Sequence, residues 1–134
     1  SKFVLRPGVV HLRAAKHVLQ YLRGTYQDGL TYSDPGLGKR NILGGWVDSD
    51  YVSDPDTRKS VTGYVLSLNG APISWKAKRQ DCVTPSSAEA EYVAASMCAQ
   101  EAVYLRAMLR GFGLEQLEAT RIWEDNAACI QISE

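Results

Sequence analysis

The run VTGYVLSLNGAPISWKAK, residues 61–78, leaves the chain little conformational choice. Two strand-like segments, VTGYVLSL (61–68) and APISWKAK (71–78), meet at Asn69-Gly70. An Asn-Gly pair takes the tight turn whose twist suits antiparallel strands, so a β-hairpin is expected here. Before it, ILGGWVDS (42–49) reads as a strand, GLTYS (29–33) as a short strand and DPGLGKRN (34–41) as a turn. After it, from Pro85, the apolar period changes. Ser86 is an N-cap with Glu89 three residues on, a capping box. Tyr92, Ala95, Cys98, Ala102, Leu105 and Leu109 then recur at helical spacing up to Gly111 and Gly113, with room for a break near Gln100. ATRIWED (119–125) reads as a strand and NAACIQIS as the start of another helix. A strand meander followed by helix, strand and helix predicts an α/β fold: a mixed sheet, antiparallel meander plus one parallel strand, with helices packed on it.

Ahead of the sheet, VVHLRAAKHVLQYLRG places Val10, Ala14, Ala15, Val18, Leu19 and Leu22 on a helical face between Pro7 and Gly24. A boundary is expected between Gly24 and Tyr32, with residues 1–28 as one piece and 29–134 as the main domain. A length of 134 residues suffices for a real core. Fifteen basic and fifteen acidic residues cancel, so any polyanion site must be a local patch. No apolar run nears the ~18 residues of a membrane span, and no secretory signal is visible. Cys82, Cys98 and Cys129 are odd in number and scattered, which suits a reducing compartment. The chain begins without Met and stops in mid-pattern, as a piece of something longer would.

The stretch GGWVDSDYVSDPDTRKS crowds Asp48, Asp50, Asp54 and Asp56 behind an apolar run. Such a cluster is either a solvated loop or a cation site. Asp48 ends one predicted strand, Asp125 another, and Glu91 sits in the second turn of the capped helix. Strand C-terminal ends are where α/β folds gather sites. Three converging carboxylates would repel unless a hard cation, Mg²⁺ or Mn²⁺, sat between them. Other site types fit poorly. A calcium loop starting at Asp48 would require Glu at Lys59. GLGKR lacks the rest of a phosphate-binding loop, and His11 and His17 have no zinc spacing. No G-x-S-x-G turn occurs.

VDSDYVSDPDTRKSVTGYVLSLNGAPISWKAKRQ, SSAEAEYVAAS and EDNAACIQISE together resemble the ribonuclease H domain of copia-like LTR retrotransposon polyproteins. That family's pattern runs roughly Y-S-D-A-D-W-A-G-D, R-x-S-T-S-G-Y, P-I-S-W-x-S-K-K-Q, S-S-T-E-A-E-Y and D-N-Q-A-A. Residues 41–134 match it nearly element for element. PGVVHLRAAKHVLQYLRGT resembles the end of the reverse transcriptase just upstream, so residues 1–28 would be its C-terminal tail.

The resemblance implies an RNase H-like fold and metal-dependent hydrolysis of the RNA strand of RNA–DNA hybrids during reverse transcription. Residue by residue it implies Asp48, Glu91 and Asp125 as catalytic and metal-binding groups. Two Mg²⁺ ions, with Mn²⁺ as a substitute, would be bridged by Asp48. The implied partners are the hybrid and the reverse transcriptase of the same polyprotein, inside a cell, in a cytoplasmic particle or the nucleus. A fourth family carboxylate would fall beyond Glu134, so the fold should be C-terminally incomplete and the chain alone a poor nuclease. Tyr51, Ser53 and Pro85 depart from the family's residues, which admits an alternative: a catalytically dead remnant acting only as a folded binding or packing module. A proofreading-type exonuclease would want Glu where Asp50 stands. Asp50 shares the strand face of Asp48, a second carboxylate beside the site or a turn residue. Asp54 and Asp56 suit a solvated loop, and Glu89 needs only its capping role. Arg58, Lys59, Lys76, Lys78 and Arg79 could track phosphates or merely solubilise strand ends. Trp46, Trp75 and Trp123 lie in strand patterns and are expected to pack in the core.

Overall fold

Two stretches organise separately in the computed structural model, residues 1–31 and residues 32–134. Within them the structure describes residues 4–36, 40–52 and 56–133. The first unit is built on helix α1 (Val9–Gly24). Its first turn is closed by His11, whose Nδ1 accepts the Gly8 backbone N–H at 2.8 Å. No residue of α1 is buried, so its apolar residues stand exposed.

The second unit contains β1 (Leu43–Asp50), β2 (Val61–Leu68), β3 (Ala71–Arg79), α2 (Ser87–Gly111), β4 (Arg121–Trp123) and α3 (Ala127–Ser133). The sheet order is β3-β2-β1-β4. β1, β2 and β3 form an antiparallel meander, and β4 lies parallel to β1. This mixed sheet with its packed helices is compatible with an RNase H-like fold. No helix among the described residues is long and apolar enough to cross a membrane.

The hairpin forms for the expected reason. Asn69 and Gly70 adopt φ values of 54° and 84°, as the mirror-image turn requires. Asn69 also ties the tip to the start of β1: its Oδ1 accepts the Ile42 N–H at 2.9 Å and its own N–H donates to Ile42 O. Leu43 and Val47 of β1 and Tyr64 and Leu66 of β2 face α2, which covers them with Ala94, Cys98, Ala102, Leu105 and Leu109. Strand alternation and helical spacing thus meet in one core. Gly45 pairs with Leu66 of β2 at close quarters; a Cβ there would lie 2.6 Å from Leu66 Cδ2 and 2.7 Å from Val65 O. Arg106 holds the return to β4, donating to the carbonyls of Gln116 and Glu118 and to Thr120 Oγ1. Gln116 Oε1 in turn accepts the Leu43 N–H at 2.9 Å.

Four sequence expectations are corrected. Residues 29–33 form no strand; Tyr32 instead donates its hydroxyl to the Pro72 carbonyl at 3.0 Å. α2 runs unbroken past Gln100, since no Gly or Pro precedes Gly111 and its buried face is continuous. The strand expected over 119–125 is only Arg121–Trp123, because three residues of β1 pair with it. The tryptophans are not core residues: Trp46 is 50% exposed, Trp75 62% and Trp123 45%. A period of two puts Trp46 on the face opposite Val47, away from α2. There Trp46 and Trp123 stack with ring centroids 5.1 Å apart.

Candidate metal centre

β1 and β4 run side by side, and this brings two acids together. Trp46 pairs with Trp123 in parallel register, so Asp48 and Asp125 stand two residues further along at the same level. Asp48 is third from the end of β1, not its last residue, and Asp125 lies two residues beyond β4. α2 supplies the third acid. Its N-terminus is set by Ser86, whose Oγ accepts the Glu89 N–H at 3.2 Å. Two positions apart on the helix, Glu89 points outward and is exposed while Glu91 is buried. One carboxylate oxygen from each of Asp48, Glu91 and Asp125 lies within 4.8 Å of the others.

The electrostatics follow from this packing. Glu91 is only 6% exposed, and burial pushes its pKa from 4.5 to about 7, helped by Glu124, Asp48 and Asp125. The Ser49 hydroxyl opposes the rise from close by. Yet neither Ser49 Oγ nor Glu91 Oε2 makes a hydrogen bond of ordinary geometry. A buried, unpartnered carboxylate oxygen facing two more acids is costly in water alone. A hard divalent cation would satisfy it with oxygen ligands of the right kind. The donor set therefore fits Mg²⁺ or Mn²⁺.

Glu124 was missed in the sequence. Its Oε1 accepts the Asn126 N–H at 3.0 Å, its Oε2 is buried without a partner, and burial raises its pKa. A period-two signal was present: following Trp123 in an extended segment, Glu124 should point to the face opposite the tryptophan. Asn126 then caps α3, its Oδ1 accepting the Cys129 N–H at 3.0 Å. Glu124 thus braces the turn that presents Asp125.

The remaining residues are more dispersed. Asp50, the last residue of β1, is exposed on the Asp48 face. Asp54 lies outside the described residues, and Asp56 is in an exposed turn. Arg58 is exposed at φ 56°. Lys59 donates Nζ to the Asp81 carbonyl, and Lys78 pairs with the Asp81 carboxylate at 3.1 Å. Lys76, Lys78 and Arg79 are exposed on β3, the edge strand two removed from β1, about 10 Å across the sheet from Asp48's strand.

Comparison with known proteins gives three informative matches. The chain is 42% identical over 135 residues to the retrovirus-related Pol polyprotein from transposon TNT 1-94 of Nicotiana tabacum, covering 99% of this chain and 10% of that protein. It is 34% identical over 128 residues to the corresponding polyprotein from transposon RE1 of Arabidopsis thaliana, covering 94% of this chain and 8% of that one. It is 41% identical over 110 residues to the secreted RxLR effector protein 161 of Plasmopara viticola, covering 82% of this chain and 75% of that protein. The chain therefore spans a tenth or less of either polyprotein. No protein-family model matches it, and no solved structure does.

Proposed function

We propose a function from one premise, that this chain belongs to the family of retrovirus-related Pol polyproteins of copia-like retrotransposons: it hydrolyses the RNA strand of RNA–DNA hybrids. The observation that carries this reading is the convergence of Asp48, Glu91 and Asp125 within 4.8 Å, with Glu91 buried and one oxygen unsatisfied. Asp48, Glu91 and Asp125 would hold Mg²⁺, or Mn²⁺ in its place. When bound, such ions orient an attacking water and neutralise charge on the scissile phosphate. The chain's own contribution is to hold three acids ready beside the sheet: one on β1, one just beyond its parallel neighbour β4, and one on helix α2. Exposed Arg58, Lys76, Lys78 and Arg79, with half-buried Lys59, supply positive charge for the hybrid's phosphates. Asp50 adds charge beside the site. Residues 1–28 would be the tail of the reverse transcriptase, its partner in the same polyprotein, and the setting a particle or nucleus inside a cell.

The test is cleavage of a labelled hybrid by the polyprotein that carries this segment, with Mg²⁺ and then Mn²⁺, beside its Asp48→Asn variant. RNA cleavage that falls to background in the variant is expected. Undiminished cleavage in the variant would overturn the site assignment. Binding of hybrid without cleavage by the unaltered protein would replace the reading with that of a folded module.

A further inference from the structure

Four polar side chains are sealed beneath the N-terminal end of α2: Ser60 and Thr62 with no exposure, Gln80 at 3% and Thr84 at 6%. A buried primary amide is costly unless its atoms find partners. Gln80 has them on its donor side. Its backbone N–H donates to Ser60 O at 2.8 Å, which extends the β2–β3 ladder by one residue. Its Nε2 donates to Thr62 Oγ1 at 3.1 Å and to the Ala90 carbonyl at 2.9 Å. Ala90 is the residue before Glu91. One amide therefore bridges strand β2 and the helical turn that presents the buried carboxylate. Around it, Ser60 Oγ accepts the Val52 N–H at 3.2 Å and lies 3.5 Å from Thr84 Oγ1, tying the loop after β1 to the segment before α2.

We propose that Gln80 is a positioning residue of the carboxylate site, fixing the first turns of α2 against β2 so that Glu91 meets Asp48 and Asp125. The inference rests on the metal-site reading above. Its physical basis is the unequal grip along α2. At the N-terminal end the helix meets the sheet through Ala90 and Ala94, which interlock weakly; at the other end Leu105 and Leu109 are buried. Glu91 lies fourteen residues from Leu105, about 21 Å along the axis. A tilt of about 3° about the leucine end would move Glu91 by roughly 1 Å over that lever. Displacements of that size matter to a site holding an ion of strict geometry. Apolar contacts at two alanines do not resist such a tilt, whereas two directional hydrogen bonds from one rigid amide do.

The test is Mn²⁺ affinity of the 134-residue chain, read from water-proton relaxation well below the unfolding temperature, with urea unfolding measured in parallel. Gln80→Met keeps length and volume but has no donors. Leu109→Val is the control, loosening the opposite end of the helix. Thr62→Val, a smaller change, removes one partner of the amide and serves if Gln80→Met fails to fold. Weakening of Mn²⁺ binding by about tenfold in Gln80→Met, or several-fold in Thr62→Val, against less than twofold in the control, is expected. Affinity within twofold of the unaltered chain in both would overturn the inference. Amide hydrogen exchange separates this failure from failure of the metal reading. If neither the chain nor Glu91→Gln binds Mn²⁺, the metal reading falls. Faster exchange confined to residues 90–94 in Gln80→Met would then still uphold the tether, and unchanged exchange would overturn it.

Discussion

The two ends of α2 are built on opposite terms. Around Leu105 and Leu109 the helix joins an apolar cluster with Leu43, and the polar groups nearby have partners: Arg106 donates to the Gln116 and Glu118 carbonyls, and Gln116 to the Asn41 carbonyl. Around Glu91 the same helix buries an acid beside three others and leaves Ser49 Oγ, Gln80 Oε1, Glu91 Oε2 and Glu124 Oε2 without partners. One end stores stability and the other stores electrostatic strain. Unsatisfied, mutually repelling groups persist only where the rest of the fold holds them in place.

The difference should show first in the core. Leu66, with no exposed surface, belongs to the same apolar cluster as Leu43, Leu105 and Leu109, and Leu66→Ala should cost about 2–5 kcal/mol in urea unfolding. A loss below about 1 kcal/mol would mean that the apolar end is not the anchor. Next comes acid. Glu91's folded pKa of about 7 lies above its ordinary 4.5, so the folded form holds the proton more tightly than the unfolded chain. Its contribution is therefore fully present below about pH 4.5 and is lost as pH rises to about 7. The loss is at most about 3 kcal/mol, from the energy equivalent of a pKa change. Half-buried Glu124 is shifted in the same direction. Glu91→Gln should flatten that decline in the urea midpoint, and saturating Mg²⁺ should reduce it in the unaltered chain only. An equal decline in both proteins would show that the strain lies elsewhere.

Smaller effects sharpen the same contrast. Gly45→Ala forces a methyl against Leu66 and the Val65 carbonyl and should cost about 1–3 kcal/mol, without changing Mn²⁺ affinity. Ser86→Ala removes the cap at the strained end and should cost about 0.5–2 kcal/mol by thermal unfolding. Under the proposed function, Glu89→Gln should leave hybrid cleavage intact while Glu91→Gln abolishes it. Equal loss at both positions would sink the distinction between the exposed and the buried acid.

The sequence by itself determined what rests on local rules. The Asn69-Gly70 turn, the cap at Ser86, the helical spacing through Leu109 and the change of period at Pro85 each depend on residues within a few positions. They placed β2, β3 and α2 to within a residue or so. Resemblance to the family's motifs, rather than spacing, singled out Asp48, Glu91 and Asp125 from among fifteen acids. Only the tertiary structure decided the rest. Strand alternation says that Trp46 and Val47 face opposite ways, but not which face α2 covers, and so the tryptophans proved exposed. That Glu124 reinforces Glu91's raised pKa, and that Gln80 reaches both Thr62 and Ala90, depends on contacts between elements distant in the chain. Burial and hydrogen-bond pairing are set by neighbours that only folding brings near, and those neighbours turn three scattered acids into a strained cluster.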